Sequence, residues 1–196
     1  MITNIPNLLT MLRIIAIPVF AVIFYLPWEG SHFWATFIFC TAAITDWLDG
    51  YLARKLEQTS AFGAFLDPVA DKLMVVVALI LVIETNPTPF PDVALTLACG
   101  IIIGREIVIS ALREWMAEIG ESAQVAVSVI GKIKTLVQMF AIPFLIYEYD
   151  IGMFPTAEVG FVLIWIAATL TMWSMAIYLK DAWPILKNAE NNTPQE

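Results

Sequence analysis

The sequence predicts an all-α integral membrane protein of six transmembrane helices, and three observations carry that expectation. Of the 196 residues, 60% are hydrophobic and only 14% are charged, too apolar a balance for a soluble domain of this length. Six segments, 8–27, 33–54, 65–84, 93–112, 125–148 and 157–180, each supply the roughly 20 mostly apolar residues that a helix needs to cross a hydrocarbon layer. Lys and Arg gather on alternate sides of these segments.

The first segment reads as a retained span, because Arg13 lies inside it and no small-residue cleavage pattern follows Leu26. Pro27-Trp28-Glu29-Gly30 closes it, and the second segment follows the loop that holds His32. With no second histidine to join it, His32 is not expected to be a ligand or a catalyst. The third span is expected to begin at Asp67-Pro68, since a first helical turn tolerates a residue without an N–H, and to end before Asn86-Pro87-Thr88-Pro89. Cys40 and Cys99 lie within apolar runs of the second and fourth spans and read as packing thiols, not as a disulfide or metal pair. The connections are too short for a second domain, so residues 1–196 are read as a single membrane domain.

Orientation follows from charge. Arg54, Lys55, Lys72, Arg113, Lys132, Lys134, Lys180 and Lys187 lie on one side or in spans close to it. The opposite connections carry Glu29, Glu84, Asp92, Glu148, Asp150 and Glu158, which places both termini and the 2–3 and 4–5 connections in the cytoplasm. Trp28, Trp34, Tyr147 and Tyr149 near the outer ends, and Trp115, Tyr178 and Trp183 near the inner ends, fit interfacial anchoring belts. The net charge of −8 comes from acids in loops and helix ends and says little about partners; no nucleic-acid partner is expected.

Four carboxylates need a reason to be where they are. Asp46 and Asp49 fall late in the second span, and Asp67 and Asp71 early in the third. Spacings of three and four residues put each pair on one helix face, and an antiparallel hairpin brings the two faces together. Such a cluster in a low dielectric repels itself or takes up protons unless cations sit among the oxygens. Oxygen-only ligands favour Mg²⁺ or Mn²⁺. Gly50, Ala53 and Gly63 allow a bulky ligand or a neighbouring backbone to come close, and the planar fork of Arg54 suits a phosphate.

The stretch reads D-x2-D-G-x2-A-R-x8-G-x3-D-x3-D from Asp46 to Asp71, with all eight fixed positions present. It resembles the signature of the CDP-alcohol phosphotransferase family. The resemblance implies a six-helix bundle of that type, with Asp46, Asp49 and Asp67 binding two divalent ions and Asp71 beside them as general base. It also implies that Gly50 and Arg54 contact the CDP part of the lipid, with Ser60 offering a hydroxyl to the nucleotide. Homodimerisation is carried from the family by analogy.

Further segments resemble the branch of the family whose acceptor is sn-glycerol 3-phosphate: Asn4 to Thr10, Gly104-Arg105-Glu106-Ile107, Ser110 to Trp115 and Gly131-Lys132-Ile133-Lys134-Thr135. That likeness implies transfer of a phosphatidyl group from CDP-diacylglycerol to this alcohol, with CMP leaving, in a bacterial inner membrane. Arg105, Arg113, Lys132 and Lys134 outnumber their acidic neighbours Glu106 and Glu114, which suggests a basic pocket for the acceptor's phosphate. Asn7, Thr10 and Arg13 recur every third residue along one side of the first span. They either face the cavity, where Asn7 and Thr10 would meet the CDP-lipid, or form a polar interfacial stripe.

Rival readings remain at this level. Inside the family the acceptor could be serine or an inositol phosphate, although the basic residues favour a phosphorylated alcohol. Outside it, a cation transporter would use carboxylates too, but its site is normally at the midplane between repeated halves, and residues 100–196 contain no second acidic set. A purely structural subunit explains neither the acids nor the glycines.

Overall fold

A computed structural model describes residues 5–56, 61–118 and 129–192, with side-chain surroundings for most of 8–46, 66–118 and 131–187. Six helices follow one another among the described residues: α1 (Ile5–Tyr25), α2 (Ser31–Leu56), α3 (Ala61–Thr85), α4 (Asp92–Glu118), α5 (Val129–Tyr147) and α6 (Thr156–Asn192). Each overlaps one expected apolar segment. The only β geometry among them is an isolated bridge between Ile151 and Phe154, closed by Gly152 at φ 64°.

Helix α1 shows how the pattern is used. Thr10, Arg13, Ile17, Phe20 and Phe24 recur at helical spacing and are buried, while Leu8, Leu12, Ile15, Val19 and Val22 form an exposed apolar stripe. A lipid-facing helix is apolar outside and packs its small, polar and aromatic groups inside. Among the described residues, three stretches are long and apolar enough to cross a membrane: Leu8–Tyr25, Asp92–Glu118 and Thr156–Ile185. The chain is an all-α membrane protein.

Helix ends are set by local chemistry. The Gly30 carbonyl accepts the Trp34 N–H at 3.0 Å and opens α2. A Cβ on Gly30 would lie 3.0 Å from the Trp28 indole. Asn86, at φ 34°, closes α3 by donating its N–H to the Val82 carbonyl at 3.0 Å, and its amide donates to Asp92 Oδ1 at 2.6 Å. One residue thus ends α3 and fastens the start of α4.

The core takes one large side chain from every helix: Phe20, Phe39, Leu79, Ile102, Ile142 and Ile164. Helix α1 packs on α2 and α3, α5 on α2 and α6, and α4 on α3 and α6. Lipid is as apolar as these side chains, so close packing is what holds the helices together. Gly160 matters for that reason, because a Cβ there would lie 2.9 Å from Leu145 Cγ across the α5–α6 contact.

Three expectations are corrected. Helix α3 begins at Ala61 and runs through position 68, so the third helix does not start at Asp67-Pro68. One lost hydrogen bond is outweighed by helix-favouring residues on both sides. Helices α4 and α6 continue to Glu118 and Asn192, past the apolar runs that ended at 112 and 180. Apolarity marks the part inside lipid; Arg113, Glu114, Met116 and Ala117 favour helix beyond it in α4, and α6 runs on through Pro184. Tyr178 is buried at 8% exposure beneath the Arg113 guanidinium, 5.7 Å from its ring centre, and so packs in the protein instead of joining the inner aromatic belt.

Candidate active site

Between α1, α2, α3, α4 and α5 lies a cavity of about 180 Å³. Its polar wall is Arg13, Asp46, Lys72, Glu106, Lys134, Thr135 and Gln138, and Phe39, Ala42, Met74 and Met139 supply much of the remainder. Five helices therefore each deliver a polar side chain to one space in an otherwise apolar bundle. Such groups are costly in lipid and collect where a ligand or a partner compensates them.

On one side of the cavity Arg13 Nη1 donates to Asp46 Oδ1 at 2.7 Å. The Arg13 side chain is 3% exposed and that of Asp46 37%. This resolves the open question about the first span: Thr10 and Arg13 face inward and are not an interfacial stripe. Asp46 is held in place by a buried cation and still opens on the cavity.

On the other side Glu106 is a shared counter-ion. Its Oε1 accepts from Lys134 Nζ and from Arg105 Nη1, the latter at 3.2 Å. Arg105 also reaches Ser174 Oγ on α6 at 3.5 Å. Lys72 donates to Ser110 Oγ, whose own hydroxyl donates to the Glu106 carbonyl, one turn earlier on α4. Lys72 is within Coulomb range of Glu106, and Arg105 and Arg113 are within range of Lys134. Of the described residues that line the cavity, Arg13, Lys72 and Lys134 carry three positive charges against the two of Asp46 and Glu106, a surplus of one, and Arg105 and Arg113 add to the positive field from behind Lys134. A low-dielectric site with that surplus favours an anion.

The candidates from the sequence are thus placed unevenly. Asp46 and Lys134 line the cavity, and Arg105 stands behind Lys134 through Glu106. Thr10 is buried on the inner face of α1. Arg113 lies over Tyr178 and is not among the lining residues. The backbone puts Asp49, Gly50 and Arg54 on α2, Asp67 and Asp71 on α3, Asn7 on α1 and Lys132 on α5. The side chains of those residues, and all of Ser60, lie outside the described residues. Sequence reasoning missed Lys72 and Gln138 as cavity residues and gave Glu106 no role beyond partial neutralisation. Lys72 had a signal, since it follows Asp71 directly; Gln138 had one in its position one turn from Lys134.

The donor chemistry suits a hard divalent cation. A carboxylate offers about four lone-pair sites, so the Arg13 contact leaves Asp46 capacity to ligate. The backbone register sets Asp49 one turn beyond Asp46 on α2, and Asp67 and Asp71 one turn apart on α3. Among the described residues no group of three or more His, Cys, Asp or Glu could hold a metal, and three of the four aspartates have side chains outside that set.

An all-α membrane protein whose cavity joins a carboxylate to a cation surplus is built to handle an anionic substrate at the edge of lipid. The model of the CDP-alcohol phosphatidyltransferase family matches residues 3–173, and the chain belongs to that family. Enzymes of the family work with divalent metal ions. The chain is 54% identical over 179 residues to a protein of Haemophilus influenzae named CDP-diacylglycerol–glycerol-3-phosphate 3-phosphatidyltransferase, covering 91% of this chain and 93% of that one. It is 51% identical to proteins of the same name from Escherichia coli K12 and Shigella flexneri, covering 91% of this chain and 94% of theirs.

Proposed function

We propose that this protein transfers the phosphatidyl group of CDP-diacylglycerol to the primary hydroxyl of sn-glycerol 3-phosphate, forming phosphatidylglycerophosphate and releasing CMP. The observation that carries the acceptor is the cation surplus around Glu106, which fits an alcohol that brings its own phosphate and disfavours serine. The high identity to relatives named for this reaction supports the same reading.

Asp46, Asp49 and Asp67 would hold a pair of divalent ions, Mg²⁺ or Mn²⁺, with Asp71 close to them. Bound there, such ions supply charge neutralisation for a pyrophosphate and its leaving group. Asp71 accepts the proton of the attacking hydroxyl as general base. Gly50 and Arg54 hold the CDP part, with Ser60, Asn7 and Thr10 completing that side. Arg105 and Lys134 bind the acceptor's phosphate, with Lys132 and Arg113 adding to the field. Arg13 positions Asp46. Glu106 neutralises Arg105 and Lys134 in part, so they keep enough charge to bind a phosphate and not so much that the resting site repels itself.

The whole chain would form a single six-span domain in a bacterial inner membrane, with both termini and the site on the cytoplasmic side, and two copies would pair as a homodimer. That placement gives CMP and glycerol 3-phosphate direct access from the cytoplasm while the acyl chains stay in the inner leaflet. The test is CMP release by purified protein given CDP-diacylglycerol and one alcohol at a time. Glycerol 3-phosphate should support release. Release with serine or an inositol phosphate, and none with glycerol 3-phosphate, would overturn the acceptor assignment.

A further inference from the structure

Gln138 lines the cavity one turn along α5 from Lys134, yet nothing in the chemistry above uses it. It is 6% exposed, and among the described residues its buried Oε1 has no hydrogen-bond partner. A stranded amide oxygen costs free energy, and the surrounding bilayer offers no water to offset it. Arg13, Lys72, Lys134 and Thr135 line the same cavity but none of them donates to this oxygen, and Phe39, Ala42 and Met139 provide no strong donor. A ligand hydroxyl would.

We propose that Gln138 is a specificity-determining residue whose amide oxygen accepts a hydrogen bond from the acceptor's secondary hydroxyl, the one that does not react. The inference rests on the acceptor reading given above. Four residues of helix place Gln138 about 6 Å along α5 from Lys134. With the phosphate on the Lys134 and Arg105 side and the primary hydroxyl toward the carboxylates of α2 and α3, the middle carbon of a three-carbon chain comes between them. The hydroxyl on that carbon can then reach the α5 wall. The terminal torsion of a glutamine is soft, so Oε1 turns toward a ligand without any backbone change. Burial adds to the selectivity, because an acceptor lacking this hydroxyl leaves the amide stranded.

The experiment compares two acceptors on the purified full-length protein in detergent with CDP-diacylglycerol and a divalent cation. One is sn-glycerol 3-phosphate; the other is 3-hydroxypropyl phosphate, which lacks only the secondary hydroxyl. Wild-type kcat/KM should favour the first by about 10- to 100-fold, the range for one buried hydrogen bond whose loss strands a polar group. Gln138→Met is similar in volume and has no strong acceptor. It should lose that factor on glycerol 3-phosphate, hold its rate on the analogue and so bring the ratio near one. A variant that keeps the wild-type ratio, or that loses both acceptors by one factor, overturns the inference. Equal use of both acceptors by wild type overturns the role of Gln138 alone. CMP release with neither phosphorylated alcohol, but with another alcohol, overturns the acceptor reading and the inference together.

Discussion

Replacing Glu106 by Gln removes the acid that, among the described residues, buried Lys134 and part-buried Arg105 share, and the structure gives the size of the effect. Lys134 is 4% exposed at its side chain and Arg105 12%, so neither can be rescued by bulk water. Removing one partner of a buried pair typically costs about 3–5 kcal/mol, because the other charge is left uncompensated. Glu106→Gln strands two charges beside Lys72 and should fall at the upper end, about 4–5 kcal/mol. Lys134→Met strands less, because Arg105 still holds Glu106 at 3.2 Å, and should cost about 2–3 kcal/mol. For a chain of this size each kcal/mol lowers Tm by roughly 2–4 °C, so a difference of about 1–3 kcal/mol should separate the two variants by about 2–12 °C in thermal unfolding in detergent, with Glu106→Gln the lower. Saturating inorganic phosphate should recover part of the Glu106→Gln loss, since an anion substitutes for the missing carboxylate. A Glu106→Gln protein no less stable than Lys134→Met, and indifferent to phosphate, would refute the shared counter-ion.

Further outcomes follow from the proposed roles and from packing. Asp71→Asn should abolish transfer while keeping much of the divalent-ion binding measured by calorimetry, because Asp46, Asp49 and Asp67 remain; near-normal turnover would remove Asp71 from the base role. Arg105→Gln should raise KM for glycerol 3-phosphate about tenfold or more with little change for CDP-diacylglycerol, and Arg54→Gln should do the reverse. Equal changes for both substrates in both variants would assign these side chains to the fold instead. Gly160→Ala forces a Cβ to within 2.9 Å of Leu145 Cγ and should destabilise the α5–α6 contact by about 1–3 kcal/mol, read as a lower Tm; an unchanged Tm would show that Leu145 moves aside freely.

Much of this molecule was legible in the chain itself, for identifiable reasons. A span of 20 apolar residues has one structural solution in lipid, so the six helices could be placed from composition alone. Their ends could not, because apolarity reports the bilayer and not the helix, and α4 and α6 run on through polar residues. Local spacing brought out the Asp46 to Asp71 pattern. Pairings between helices are tertiary facts: Arg13 meets Asp46 across 33 positions, and Lys134 meets Glu106 across 28. For Arg13 the sequence left two faces open, and only packing of α1 on α2 and α3 decides between them. Tyr178 misled for a similar reason, since an aromatic near a helix end looks alike whether it meets headgroups or an arginine.

The most direct test is to reconstitute the purified protein in vesicles with CDP-diacylglycerol, add sn-glycerol 3-phosphate with Mg²⁺ or Mn²⁺, and identify the lipid product by mass spectrometry. The account predicts phosphatidylglycerophosphate and an equal amount of CMP, both lost when a chelator removes the divalent ion and both restored when the ion is returned. No phosphatidylglycerophosphate under any of these conditions, or undiminished product after full chelation, would contradict it.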